Sequence, residues 1–118
     1  MTDALSDLRR RFRYTHDARD RWTIMDNPTG PLRGDCEDFA LTALWLLCGK
    51  SRARMHWWVL SGKAAIWHVR SGRDPHAALW VRGRGWIDNQ YQDFGPLRFR
   101  RVFPYLWPMF AAAMVFKG

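Results

Sequence analysis

Cys36 stands where a loop must become a helix, and that junction constrains the chain more than any other stretch. In Gly34-Asp35-Cys36-Glu37-Asp38-Phe39-Ala40-Leu41, Asp35 is a good N-cap and Asp38 follows three residues later in a capping-box-like arrangement. Phe39, Ala40, Ala43, Leu44 and Leu47 then supply an apolar face at helical spacing, with Gly49 as the C-terminal stop, so the pattern predicts a helix over residues 36–48. A helix start offers unpaired N–H groups and a partial positive charge, which favour a thiolate and can hold a developing oxyanion. The same octapeptide also reads as an ordinary cap followed by a small buried thiol. The carboxylates of Asp35, Glu37 and Asp38 oppose a thiolate, so for a nucleophilic Cys36 the helix start must outweigh them or a cation must arrive from elsewhere in the chain.

The 118 residues allow one domain, spanning 1–118, with a modest core. Eight tryptophans, seven phenylalanines and three tyrosines make that core aromatic and leave rings to line a cleft. The net charge of +8 is carried almost wholly by arginine, with lysine only at Lys50, Lys63 and Lys117; forked contacts with phosphate or carboxylate make polyanionic partners plausible. Cys36 and Cys48 lie about 18 Å apart along the expected helix, too far to bridge each other or to share a zinc ion. Unpaired cysteines fit a reducing compartment, and the N-terminus shows no signal peptide, so a cytoplasmic location is expected. Leu106–Phe116 is apolar but short and interrupted by Pro108, so no membrane span is expected. No glycine-rich phosphate loop or dinucleotide fingerprint is present.

Taken in order, residues 3–14 carry Leu5, Leu8 and Phe12 at helical spacing beneath a basic run of Arg9, Arg10, Arg11 and Arg13, which predicts a short amphipathic helix with a solvated face. Residues 15–34, with His16, Trp22 and a cluster of turn formers around Pro28, read as a structured loop. Beyond residue 48 the period changes. Met55–Leu60 and Ala64–Val69, separated by Ser61-Gly62-Lys63, read as a hairpin; His76–Val81 and Trp86–Asn89 follow as strands, and Leu97–Phe103 as a half-wet edge strand. The sum is α+β: helices first, then an antiparallel sheet.

A thiol nucleophile needs a base, and the base needs an orienting group. His76 begins one strand and Asp88 ends the next across a tight Gly83-Arg84-Gly85 turn, so antiparallel pairing brings imidazole and carboxylate to one sheet edge. A helix start against that edge would bring Cys36, and the imidazolium would be the required cation. Asn89 is an alternative orienting group.

These residues carry a resemblance. Gly34-Asp35-Cys36-Glu37-Asp38-Phe39-Ala40-Leu41, His76-Ala77-Ala78-Leu79-Trp80-Val81 and Trp86-Ile87-Asp88-Asn89 resemble, in order, the three blocks of the bacterial transglutaminase-like cysteine proteinases, and Phe12–Asp17 with Asp20–Thr23 is similar to that family's opening segment. Together they cover roughly residues 5–95. The resemblance implies a papain-like, transglutaminase-type core with the nucleophile at the start of a central helix packed on an antiparallel sheet. It implies Cys36 as nucleophile, His76 as general base then acid, and Asp88 as orienting carboxylate. The implied activity is a peptidase or amidase acting on a peptide or isopeptide amide through a thioester acyl-enzyme. No cofactor is implied as a requirement. Some related proteases bind calcium through acidic residues flanking the nucleophile, which here would be Asp35 and Glu37, fewer ligands than calcium takes. The segment with Trp57, Trp58 and Trp67, and everything after Gln90, departs from the family. Family members usually carry an export signal, so a phage virion or the cell envelope is the alternative to the cytoplasm. Trp22, Trp80 and Trp86 are candidate cleft walls. Two rival functions stay open: a basic module binding nucleic acid or another polyanion with an idle triad, and a cell-wall peptide amidase or a transglutaminase/deamidase using the same thiol. Substrate preference and oligomeric state are not readable from the residues.

Overall fold

The computed structural model of the chain describes residues 2–14, 24–25, 31–34, 36–71, 74–88, 94–97, 99–105, 107–108 and 110–111. Among the described residues the main elements follow in the order α1 (Thr2–Arg11), β1 (Phe12–Tyr14), β2 (Leu32–Gly34), α2 (Cys36–Leu47), α3 (Arg52–Leu60), β3 (Ala64–Ser71), β4 (Asp74–Val81), β5 (Gly85–Ile87) and β6 (Arg100–Tyr105). The expected α+β organisation is present, with helices preceding a four-stranded antiparallel sheet of order β5-β4-β3-β6.

α2 is the centre of the core, and its sequence explains why. Phe39, Ala40, Leu41, Ala43, Leu44 and Leu47 are all buried, so the helix is apolar almost all round and is covered on several sides at once. It packs on β4, α1, β2, β3 and α3. On one side Phe39 meets Phe12 edge to face, with ring centroids 5.0 Å apart. On another, Thr42 Oγ1 accepts a 2.8 Å hydrogen bond from the Met25 amide, so the single buried hydroxyl of the helix is satisfied while it ties an upstream segment down. The helix stops where Gly49 was expected to stop it: Gly49 and Lys50 both take positive φ, and their amides close back on Leu46 and Trp45.

Three expectations need correction. Met55–Leu60 is not a strand of a hairpin with Ala64–Val69 but the body of α3. Ser51 caps that helix by accepting from the Arg54 amide, and Met55 and Val59, four residues apart, bury on one face. Aromatic and β-branched residues raise strand propensity only weakly, and an N-cap followed by a helical apolar pair outweighs it here. The first helix ends at Arg11 rather than running to residue 14, because Phe12–Tyr14 pairs in parallel with Leu32–Gly34. Finally, the last strand is Arg100–Tyr105 rather than 97–103, and its first four residues are exposed without alternation. It is an edge strand, as expected, paired only with β3 among the described residues, with Pro104 where a missing N–H is tolerated.

At the N-terminus Asp7 accepts from Arg11 at 2.8 Å and also pairs with Arg10, which holds its carboxyl below the usual carboxylate range; Arg9 donates to Ser6 Oγ. The basic run therefore forms helix-surface contacts at the end of α1, where cations suit the helix dipole.

The helical assignment of residues 52–60 is checked by three substitutions. Met55→Ala is expected to cost about 2–5 kcal/mol of unfolding free energy and Ser51→Ala about 1 kcal/mol, while Trp57→Ala, on the outer face, stays within about 0.5 kcal/mol. Urea denaturation measures all three; a large loss at Trp57 with none at Met55 would contradict the helix.

Candidate functional site

β4 and the residue that follows β5 supply an imidazole and a carboxylate that lie side by side, His76 and Asp88. The register of the two strands pairs Leu79 with Ile87, Trp80 with Trp86 and Val81 with Gly85. Continuing it by one step sets Asp88 beside Ala78, on the sheet face that also bears His76, since alternate residues share a face. His76 Nε2 then lies 3.4 Å from Asp88 Oδ1, with both side chains almost fully buried, at 6% and 4% exposure. The approach has ion-pair length but not hydrogen-bond geometry, and Nε2 has no hydrogen-bond partner. The expected meeting of imidazole and carboxylate at one end of adjacent strands is therefore found.

The turn that makes this register is specified by glycine. Gly85 has φ of +100°, and a Cβ there would come within 2.6 Å of the Gly95 carbonyl oxygen, because Trp86 and Gly95 exchange two backbone hydrogen bonds. A side chain at this position would push away the segment that flanks β5.

The two faces of the sheet have different surroundings. Ala77, Leu79 and Val81 join the core beneath α2, whereas His76 and Ala78 share the opposite face with Val69, which stands directly across from His76 in β3. Phe99 covers the imidazole there, with ring centroids 4.8 Å apart. Trp67 and Trp86 meet on this face at 5.8 Å, and Trp80, half-buried, is the cross-strand partner of Trp86. Two of the three candidate wall tryptophans thus stand on the face of His76; Trp22 lies outside the described residues, as do His16 and Asn89. Phe99 was missed in the sequence, because it sits in a stretch with no motif and only the fold returns it to His76.

Cys36 is the first residue of α2 and is half-buried against the core cluster. Its helix start is tightly built. A Cβ on Gly34 would lie 2.7 Å from Asp38 Cβ and 2.8 Å from Met25 Sδ, so only glycine lets β2 pass this close to the first turn of α2. Asp38 is buried at that turn beside Glu37, where carboxylates suit the positive end of the helix. Asp35 lies outside the described residues, so its capping role and its part in a calcium site are not described. Among the described residues no group of three or more His, Cys, Asp or Glu side chains could hold a metal ion. Glu37 alone is far short of the donors calcium takes.

The other two described histidines pack against rings. His68 lies 5.1 Å from Phe103, and His56, on α3, contacts Phe110 and Trp107. No helix of the described residues is long and apolar enough to cross a membrane. Comparison with known proteins found no matching family model, no matching curated protein and no matching solved structure.

Neither cysteine is in a disulfide, and their surroundings differ. Burial of Cys48 penalises its thiolate and pushes the thiol up from 9.0 to about 11. The stability gained by keeping it protonated is complete below pH 9.0 and falls away as pH rises through about 11. Near pH 8, iodoacetamide is expected to modify Cys36 in the native protein and to reach Cys48 only on unfolding. Peptide mapping of the alkylated chain reads this directly, and native labelling of Cys48 at the denatured rate would contradict it.

Proposed function

We propose that this chain is a cysteine hydrolase with a transglutaminase-type core, acting on a peptide or isopeptide amide through Cys36, His76 and Asp88. The buried His76–Asp88 contact carries the reading. An imidazole and a carboxylate are costly to bury together, and they occupy the two strand positions at which the family resemblance implies base and orienting group. A second support is that Cys36 opens the helix that packs on the strand bearing His76.

The register also indicates how sulfur and imidazole would meet. β5 pairs with β4 only from Leu79 to Val81, so beside His76 that side of β4 has no paired strand among the described residues. In the proposed site the sulfur would come to the ring around this open side, because the core face of β4 belongs to Ala77, Leu79 and Val81. Asp88 faces Nε2, which leaves Nδ1 as the nitrogen that takes the thiol proton.

In the proposed reaction the Cys36 thiolate attacks the carbonyl carbon, forming a C–S bond while the carbonyl π electrons move to oxygen. The Cys36 backbone N–H at the start of α2 and one further donor hold that oxyanion. As the tetrahedral species collapses, the C–N bond breaks and the His76 imidazolium gives its proton to the leaving nitrogen. Water, deprotonated by His76, then attacks the thioester and releases the carboxylic acid and the free thiol. An amine in place of water gives transamidation, so the same residues serve a transferase or deamidase. Calcium has no step in this sequence. A protein, a peptide or the peptide of a bacterial cell wall supplies the amide, and the setting is bacterial or phage.

The rival reading, a polyanion-binding module, draws on Arg70 and Arg100, which oppose each other in register across β3 and β6 and are both exposed. The two readings part at the thiol. The rate of Cys36 alkylation against pH, in a Cys48→Ser background, is expected to stay high on the acidic side in wild type and to fall on the order of tenfold or more there in His76→Ala. Matching slow profiles would remove the thiolate–imidazolium pair and leave the binding module.

A further inference from the structure

We infer that α3 is a docking face for an anionic lipid surface, on which the protein lies without crossing. Met55, Trp57, Trp58, Val59 and Leu60 give this helix more apolar surface than its one packed face uses, with Arg52, Arg54 and His56 between them. Only Met55 and Val59 are buried, while Trp57 is 64% and Leu60 56% exposed. At about 100° per residue, Trp57 stands at the middle of the outward face, with Ala53 and Leu60 on one flank and Arg54 on the other. Trp107, 38% exposed, meets His56 of the same helix edge to face and enlarges the apolar area.

Along the sequence, the stretch that carries this patch has charges of one sign. Residues 39–73 contain Lys50, Arg52, Arg54, Lys63, Arg70 and Arg73 and no aspartate or glutamate. Arg52 and Arg54 are exposed on α3 itself, and Lys63 is held 4.4 Å over the Trp58 ring at its far end. An exposed indole with Arg54 on one flank and Leu60 on the other suits the headgroup layer of an anionic bilayer, where the ring sits at the boundary and the arginine meets phosphate. A second copy would set these like charges against each other, and a nucleic acid would gain little from Leu60.

Co-sedimentation of the full chain with phosphatidylcholine vesicles, with and without added phosphatidylglycerol, tests this. Binding is expected only with phosphatidylglycerol, and is expected to weaken on the order of tenfold in both Arg52→Gln/Arg54→Gln and Trp57→Ser/Leu60→Ser. These side chains are exposed, so circular dichroism and urea midpoints should match wild type. Failure to sediment, equal sedimentation with both vesicles, or binding unchanged in the variants would each overturn the inference. So would a concentration-dependent dimer, or oligonucleotide binding, abolished by the Trp57/Leu60 variant. Cys36→Ser is expected to bind vesicles like wild type.

Discussion

β4 is buried on both faces, and the rest of the structure depends on that. Through Ala77, Leu79 and Val81 it receives the apolar helix α2, while on the other face His76 and Ala78 lie under Phe99 and beside Asp88. A fully buried large apolar side chain contributes about 1.5–3 kcal/mol, and the core has Phe39, Leu41, Leu44, Ile66, Leu79 and Ile87 at essentially zero exposure. Burying an imidazole next to a carboxylate costs part of that, because the desolvation of two ionisable groups is only partly returned by their attraction. A pair whose Nε2 lacks a hydrogen bond adds little to stability.

The elements that were legible in the sequence were those where local signals agree. Residues 36–47 combine acidic first-turn residues, a helical apolar face and a glycine stop, and the helix forms between those limits. The hairpin leading to Asp88 was equally clear, since glycine at a position of positive φ and alternating strand residues specify one register, and register alone places Asp88 near His76. Where signals conflict, the reading failed. Trp57, Trp58 and Val59 argue for a strand one residue at a time, but Ser51 as N-cap and Met55 with Val59 at a spacing of four argue for a helix as a group, and tertiary burial favours the group.

Other features were not legible because no local pattern encodes them. Phe99 reaches His76 only because β6 returns along β3. The parallel pairing of Phe12–Tyr14 with Leu32–Gly34 joins segments far apart in sequence, and the crowding of Gly34 by Asp38 and Met25 becomes visible only once those segments meet. That β5 pairs with β4 only from Leu79 to Val81 is likewise a property of the sheet, not of any residue type.

The most direct measurement is intact-mass labelling by a peptide that carries an electrophile in place of the scissile amide. One adduct, mapped to Cys36, is expected in wild type and in Cys48→Ser, and its formation should be strongly slowed in His76→Ala while that variant keeps its native circular dichroism. A folded wild-type protein that takes no adduct from any such peptide, or a His76→Ala variant that labels as fast as wild type, would contradict the claim that the buried histidine serves the thiol.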